Sequence, residues 1–154
     1  MSVAKGDRKE SSSNLETAKM LKGLCVYTIQ ICKNEKNFPK RDRWILTAPI
    51  VKCAVKAYAK VLEANAITVV KLDDYMMRRK CQIQARKKLK AMIGLVEIAY
   101  TTLSLEESRL EYWTGYIKGC MDILSKWRAA DRKRYTKQLN GEIACKGDKP
   151  GNPL

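Results

Sequence analysis

The 154-residue chain contains no histidine. That absence removes the side chain most often used as a general base, the Ser–His and Cys–His nucleophile systems, and the Glu-x-x-His signature of di-iron bundles. A phosphate-cradling glycine loop is also missing, because the 8 glycines are scattered. The carboxylates do not gather into an acid/base pair. No catalytic residue, cofactor or metal site is therefore expected. The 6 cysteines form no C-x-x-C pair. Cys25, Cys32, Cys53, Cys81 and Cys120 fall in helical segments, where small buried thiols of a reducing compartment are expected. Cys145 lies in a polar stretch and is expected as an exposed thiol. The longest apolar runs fall far short of the roughly 20 residues that cross a bilayer. Met1 to Ser13 has no apolar core of a signal peptide. These two absences argue for a cytoplasmic protein with no membrane partner. Acidic residues are scarce as well: 16 Asp and Glu stand against 31 Lys and Arg, for a net charge of +15 and an isoelectric point near 9.7.

That charge has a focus. Between Arg78 and Lys90 lie Arg78, Arg79, Lys80, Arg86, Lys87, Lys88 and Lys90 without one acid among them. A helix so charged repels itself, and a polyanion such as nucleic acid is the natural neutralising partner. The alternative is a solvated face. Arg78 points nearer the apolar seam than Arg79 and has a structural alternative, a salt bridge within the bundle. Lys40, Arg41 and Arg43 form a second positive patch, interrupted by Asp42.

The rest of the chain is amphipathic helix. A hydrophobic content of 45% over this length suits one globular domain with a real core. Ser13 and Glu16 have capping-box spacing, and Leu21, Leu24, Cys25, Thr28, Ile31 and Cys32 then share a face up to Asn34. Phe38 and Pro39 turn the chain. A second helix from Asp42 carries the stripe Trp44, Ala48, Val51, Val55, Tyr58, Leu62, Ala66 and Val69, with Pro49 expected to kink it. Asp73 or Asp74 caps a third helix with the seam Ala85, Leu89, Met92, Val96, Ala99 and Leu103. Ser104 and Glu107 make another capping box, before Leu110, Trp113, Ile117, Cys120, Leu124 and Trp127. The three tryptophans all sit at seam positions and are expected in the core. No alternating strand pattern competes. The expected fold is all-α, an antiparallel up-down-up-down four-helix bundle over residues 14–130, with a flexible segment 1–13 and a basic flexible tail 131–154.

Two helices carry a second apolar stripe: Ile50, Ala54, Ala57 and Val61 on one, and Tyr112, Tyr116 and Ile123, with Gly119, on the other. One seam per helix suffices for a bundle, so the extra apolar area is expected to form an oligomer interface. A broad seam in a thick bundle is the alternative.

The link Asn37-Phe-Pro-Lys-Arg-Asp-Arg43, the Arg78-Arg79-Lys80 start of a basic helix, the stretch Lys88-Leu-Lys-Ala-Met-Ile-Gly-Leu95 and a tryptophan-ended fourth helix together resemble a known family. From Asn14 to Arg128 the chain is similar to the accessory variability determinant (Avd) proteins of diversity-generating retroelements, which are related to the four-helix proteins encoded in intervening sequences of bacterial ribosomal RNA. The resemblance implies a non-catalytic, ring-shaped homopentamer with a positive surface. It also implies binding to a reverse transcriptase and its template RNA, and contact with the cDNA, in mutagenic cDNA synthesis. A structural bundle of the intervening-sequence type, associated with RNA or ribosome and without a polymerase partner, is the competing expectation.

Overall fold

The structure is a computed structural model that describes the backbone of residues 5–145 and the side chains of residues 13–139. It contains four helices, α1 Lys5–Lys33, α2 Ala48–Ala66, α3 Leu72–Leu103 and α4 Glu107–Cys145, and no strand among the described residues. The helices close a ring in chain order, α1 on α2, α2 on α3, α3 on α4 and α4 on α1. Asn14 of α1, Ile67 just past α2, Arg78 of α3 and Asp131 of α4 meet at one end of that ring. Early residues of α1 and α3 thus lie beside the ends of α2 and α4, so neighbouring helices run antiparallel. The fold is the expected up-down-up-down bundle.

The seams of α1, α3 and α4 follow from their 3–4 spacing. Leu21, Leu24 and Ile31, then Ala85, Leu89, Met92, Val96 and Ala99, then Trp113, Ile117, Cys120, Leu124 and Trp127 are all buried. Each large aliphatic among them contributes ~1.5–3 kcal/mol. Trp113 donates its Nε1–H to Thr28 Oγ1 at 3.2 Å, and Phe38 of the link packs edge-on against the same indole with ring centres 5.9 Å apart. That contact anchors the connection between α1 and α2 at the other end of the bundle.

Helix α2 reverses the expected assignment of its two stripes. Ile50, Ala54, Ala57 and Val61 form its buried face, together with Ala64. Val55 and Leu62 of the other stripe are exposed, and Trp44 is 82% exposed. The reason is size. A face rich in alanine lets the α2 backbone approach its neighbours closely; its most extensive contact is with α3, and Cys25 Sγ of α1 donates to Ala54 O at 3.2 Å. The chain also changes pitch ahead of α2. A 3₁₀ turn at Lys40–Asp42 is followed by a π turn at Arg43–Thr47, which moves Trp44 out of phase and turns Leu46 inward. Pro49 consequently lies in the first turn of α2, where its missing N–H needs no partner, and the expected kink is replaced by the π turn.

Helix ends differ from expectation in three places and agree with it in one. Helix α1 already runs from Lys5, and Ser13 is internal to it, its carbonyl accepting the Thr17 hydroxyl at 2.9 Å. Asp74 does close the start of α3, accepting the backbone N–H of Lys71 at 3.0 Å and of Val70 at 3.1 Å. These donors hold its carboxyl below the ordinary value. Ser104 ends α3 in the left-handed region, φ 55° and ψ 44°, so it does not cap α4; the Glu106 carbonyl instead receives the Arg109 and Leu110 amides. Helix α4 continues through the expected tail to Cys145. Asp131, Tyr135 and Leu139 repeat every four residues and are buried, and Tyr75, Tyr135 and Leu139 form a small second core with Val69 and Leu72. The Cys145 side chain and residues 1–4 and 146–154 lie outside the described residues.

Candidate nucleic-acid interface

The expected basic cluster divides in two. Arg78 is not part of a binding surface, being 4% exposed and structural. Its Nε donates to Asp131 Oδ2 at 2.8 Å and its Nη2 to Oδ1 at 3.0 Å, a two-pronged pairing. Gln82 Nε2 donates to the same Oδ2 at 2.8 Å. The guanidinium also reaches the Ile67 carbonyl at 3.5 Å and Asn14 Oδ1 at 3.4 Å, and stacks 5.1 Å from the centre of the Trp127 ring. One buried ion pair therefore joins all four helices or their ends. Its chemistry is positional: it fixes which turn of α3 meets which turn of α4.

The remaining cations of α3 face outward. Lys80, Arg86, Lys87, Lys88 and Lys90 are exposed and Arg79 is half-buried. Helical phase spreads them around the helix. Lys88 lies on the α2 side, where its charge acts on Cys53, whereas Arg79 and Arg86 lie toward α4, where both act on Arg128. Lys80 and Lys87 flank an apolar strip of Met76, Met77 and Ile83 on the outer face.

The row of Arg79 and Arg86 continues onto α4. Arg128, Arg132, Lys133 and Lys137 line a groove of about 720 Å³ between the two helices, with Arg79 on the α3 wall and Tyr75 in its floor. Burial, and then the charges of Arg79 and Arg86, hold the Arg128 guanidinium below its ordinary pKa. The nearest acid along α4, Asp131, is turned inward and occupied by Arg78 and Gln82. Arg132, Lys133 and Lys137 fall in the stretch 131–154 that the sequence pattern marks as a flexible tail, whereas Arg128 falls in the expected bundle. The signal that they belong to a helix was present: Tyr135 and Leu139 continue the row of Trp127 and Asp131 by steps of four.

The second expected patch does not join the first. Lys40, Arg41 and Arg43 lie on the link packed beside Trp113, whereas the groove lies beside Asp131, about 27 Å further along α4 at 1.5 Å per residue. Lys40 pairs with Glu35 at 3.4 Å and Arg41 with Asp42 at 3.8 Å. Such exposed pairs contribute little energy but reduce the local field.

Half of the expected oligomer interface is buried inside the bundle. Ile50, Ala54, Ala57 and Val61 are interior and unavailable to a second copy. Tyr116 and Ile123 are half-buried, and Tyr112 is exposed. Tyr112 and Tyr116 pack within the chain on Tyr27 of α1, with ring centres 5.1 and 6.0 Å away. The apolar surface left open on the α2 side consists of Trp44, Ile45, Val55 and Leu62.

No group of three or more potential metal ligands occurs among the described residues, and none of their helices is long and apolar enough to cross a membrane. Comparison with known protein families, with characterised proteins and with solved structures finds no match to this chain.

Proposed function

We propose that this protein is a non-catalytic nucleic-acid-binding accessory subunit of the Avd type, which holds template RNA against a reverse transcriptase during mutagenic cDNA synthesis. The observation that carries the nucleic-acid reading is the basic surface running from α3 onto α4. Arg79, Arg86 and Lys90 form one row on α3, and Arg128 and Arg132 lie across from it, with no carboxylate in salt-bridge distance among the described residues. Placing like charges together costs energy that a polyanion offsets. The reverse-transcriptase part of the reading rests on the resemblance carried by the Phe38-Pro39 link and the basic third helix. Positioning alone is a sufficient task for such a surface. A template held beside the polymerase initiates at a high effective concentration, and no proton transfer is asked of a chain without histidine. Assembly into a ring, with the open α2 face of Val55 and Leu62 as its contact, would repeat the basic surface around the assembly.

The test is a reconstituted reaction with the reverse transcriptase of a diversity-generating retroelement and its template RNA. Replacing Arg79, Arg86 and Lys90 together by glutamate should abolish cDNA synthesis while helicity and solution mass stay unchanged. Normal synthesis by that variant would remove α3 as the working surface and leave the intervening-sequence type of bundle as the better description. Failure of wild-type protein to co-purify with the reverse transcriptase would have the same consequence.

A further inference from the structure

The α3–α4 groove contains polar groups that the fold leaves unused. Arg128 Nε and Thr136 Oγ1 are buried, and neither has a hydrogen-bond partner. A buried polar group without a partner costs about 1–3 kcal/mol, and of the five such side-chain atoms among the described residues two, Arg128 Nε and Thr136 Oγ1, fall in this one groove. Both line the same cavity, and no salt bridge among the described residues reaches Arg79, Arg128, Arg132, Lys133 or Lys137 around them. The groove also has a direction. Ser125, Arg128, Arg132 and Thr136 step along one face of α4, a span of about 17 Å at 1.5 Å per residue.

We propose that this groove is a phosphate subsite that seats successive phosphates of a single RNA strand, the first of them between Arg79 and Arg128 and the next toward Arg132 and Thr136. The proposal rests on the nucleic-acid reading above and narrows it to a place and a ligand form. A phosphate supplies the acceptors that Arg128 Nε and the Thr136 hydroxyl lack, and its charge offsets the repulsion among Arg79, Arg86 and Arg128. The donors are recessed, so the ligand must enter the groove. A flexible single strand does so readily, whereas a duplex, stiff over about 150 base pairs, meets the rims. Phosphate contacts of this kind position a strand and do not read its bases.

The experiment uses the full chain and a ten-residue oligouridylate. The side-chain Nε–H resonance of Arg128 is followed by NMR during titration of the wild-type protein, and affinity is measured against salt for wild type, for Arg128→Gln with Arg132→Gln, and for Thr136→Val. Expected are a shift of the Arg128 resonance that saturates with binding and a salt slope shallower by about 1.4 in the double variant, since each single-strand phosphate contributes about 0.7. Lys19→Gln with Lys22→Gln on α1 serves as the charge control. If wild type binds RNA but the Arg128 resonance stays fixed and the double variant keeps its slope, the groove proposal is overturned and the general nucleic-acid reading survives. If wild type binds no RNA, inorganic pyrophosphate is titrated in its place. A saturating Arg128 shift then retains the phosphate subsite while the nucleic-acid reading falls, and a fixed resonance overturns both.

Discussion

Replacing Asp131 by alanine tests the internal organisation of the bundle. Asp131 has no exposed surface, and its carboxylate accepts two bonds from Arg78 and one from Gln82. The substitution removes the two-pronged carboxylate partner of a buried guanidinium, which costs about 3–5 kcal/mol. It also orphans Gln82 Nε2, although solvent entering the space left by the carboxylate would recover part of that loss. For a chain of this size, 3–5 kcal/mol lowers Tm by roughly 6–20 °C. Urea denaturation followed by circular dichroism at 222 nm measures the loss directly. The double variant Arg78→Met, Asp131→Leu should be far less damaged than Asp131→Ala alone, because it leaves no unpaired charge in the interior. Equal stability of Asp131→Ala and wild type, or additive losses in the double variant, would refute the buried pair and with it the packing of the last turns of α4 on α3.

Burial pushes the Cys25 thiol up to about 11 and those of Cys32 and Cys120 to about 12, so native protein at pH 8 should resist iodoacetamide at these positions and react after unfolding, as read by peptide mass spectrometry. The same shifts set a sign: the unfolded thiols release protons at lower pH than the folded ones, so stability should fall as pH rises from about 9 toward 12, and alkaline urea titrations should show it. A Cβ at Gly119 would come 2.8 Å from the mobile Met20 Cε, whereas one at Gly23 would collide with the Tyr116 hydroxyl; Gly119→Ala should be near neutral, with ~1 kcal/mol of helix propensity offsetting the crowding, and Gly23→Ala should cost about 1–3 kcal/mol in thermal unfolding. Ala57→Glu should unfold the chain because Ala57 is fully buried, whereas Val55→Glu with Leu62→Glu should leave helicity intact and reduce the mass seen by light scattering; a helical, dissociated Ala57→Glu protein would return the interface to the inner stripe.

The amino-acid sequence by itself determined the helical class, the ring of seams and the basic character of α3. Those properties follow from local periodicity: Leu89, Met92, Val96 and Ala99 define one face in any surroundings, as do Trp113, Ile117, Cys120 and Leu124. Turn chemistry was equally legible at Phe38-Pro39 and at Asp74, where the deciding contacts lie within a few residues. The choice between the two stripes of α2 was not, because Ala54, Ala57 and Val61 have the same period as Val55 and Leu62. Only the approach of α3 and α1 made the smaller side chains the inner ones, and only the π turn took Trp44 out of the core. The end of α4 was hidden for a related reason. Asp131, Arg132, Lys133 and Arg134 look like a solvated tail until Arg78, 53 residues earlier in the chain, supplies the charge that allows Asp131 to be buried. Tertiary packing thereby turned one cation of the basic run inward as a structural bolt. It also brought Arg128 opposite Arg79 and Arg86, since a groove between two helices exists only once their register is set.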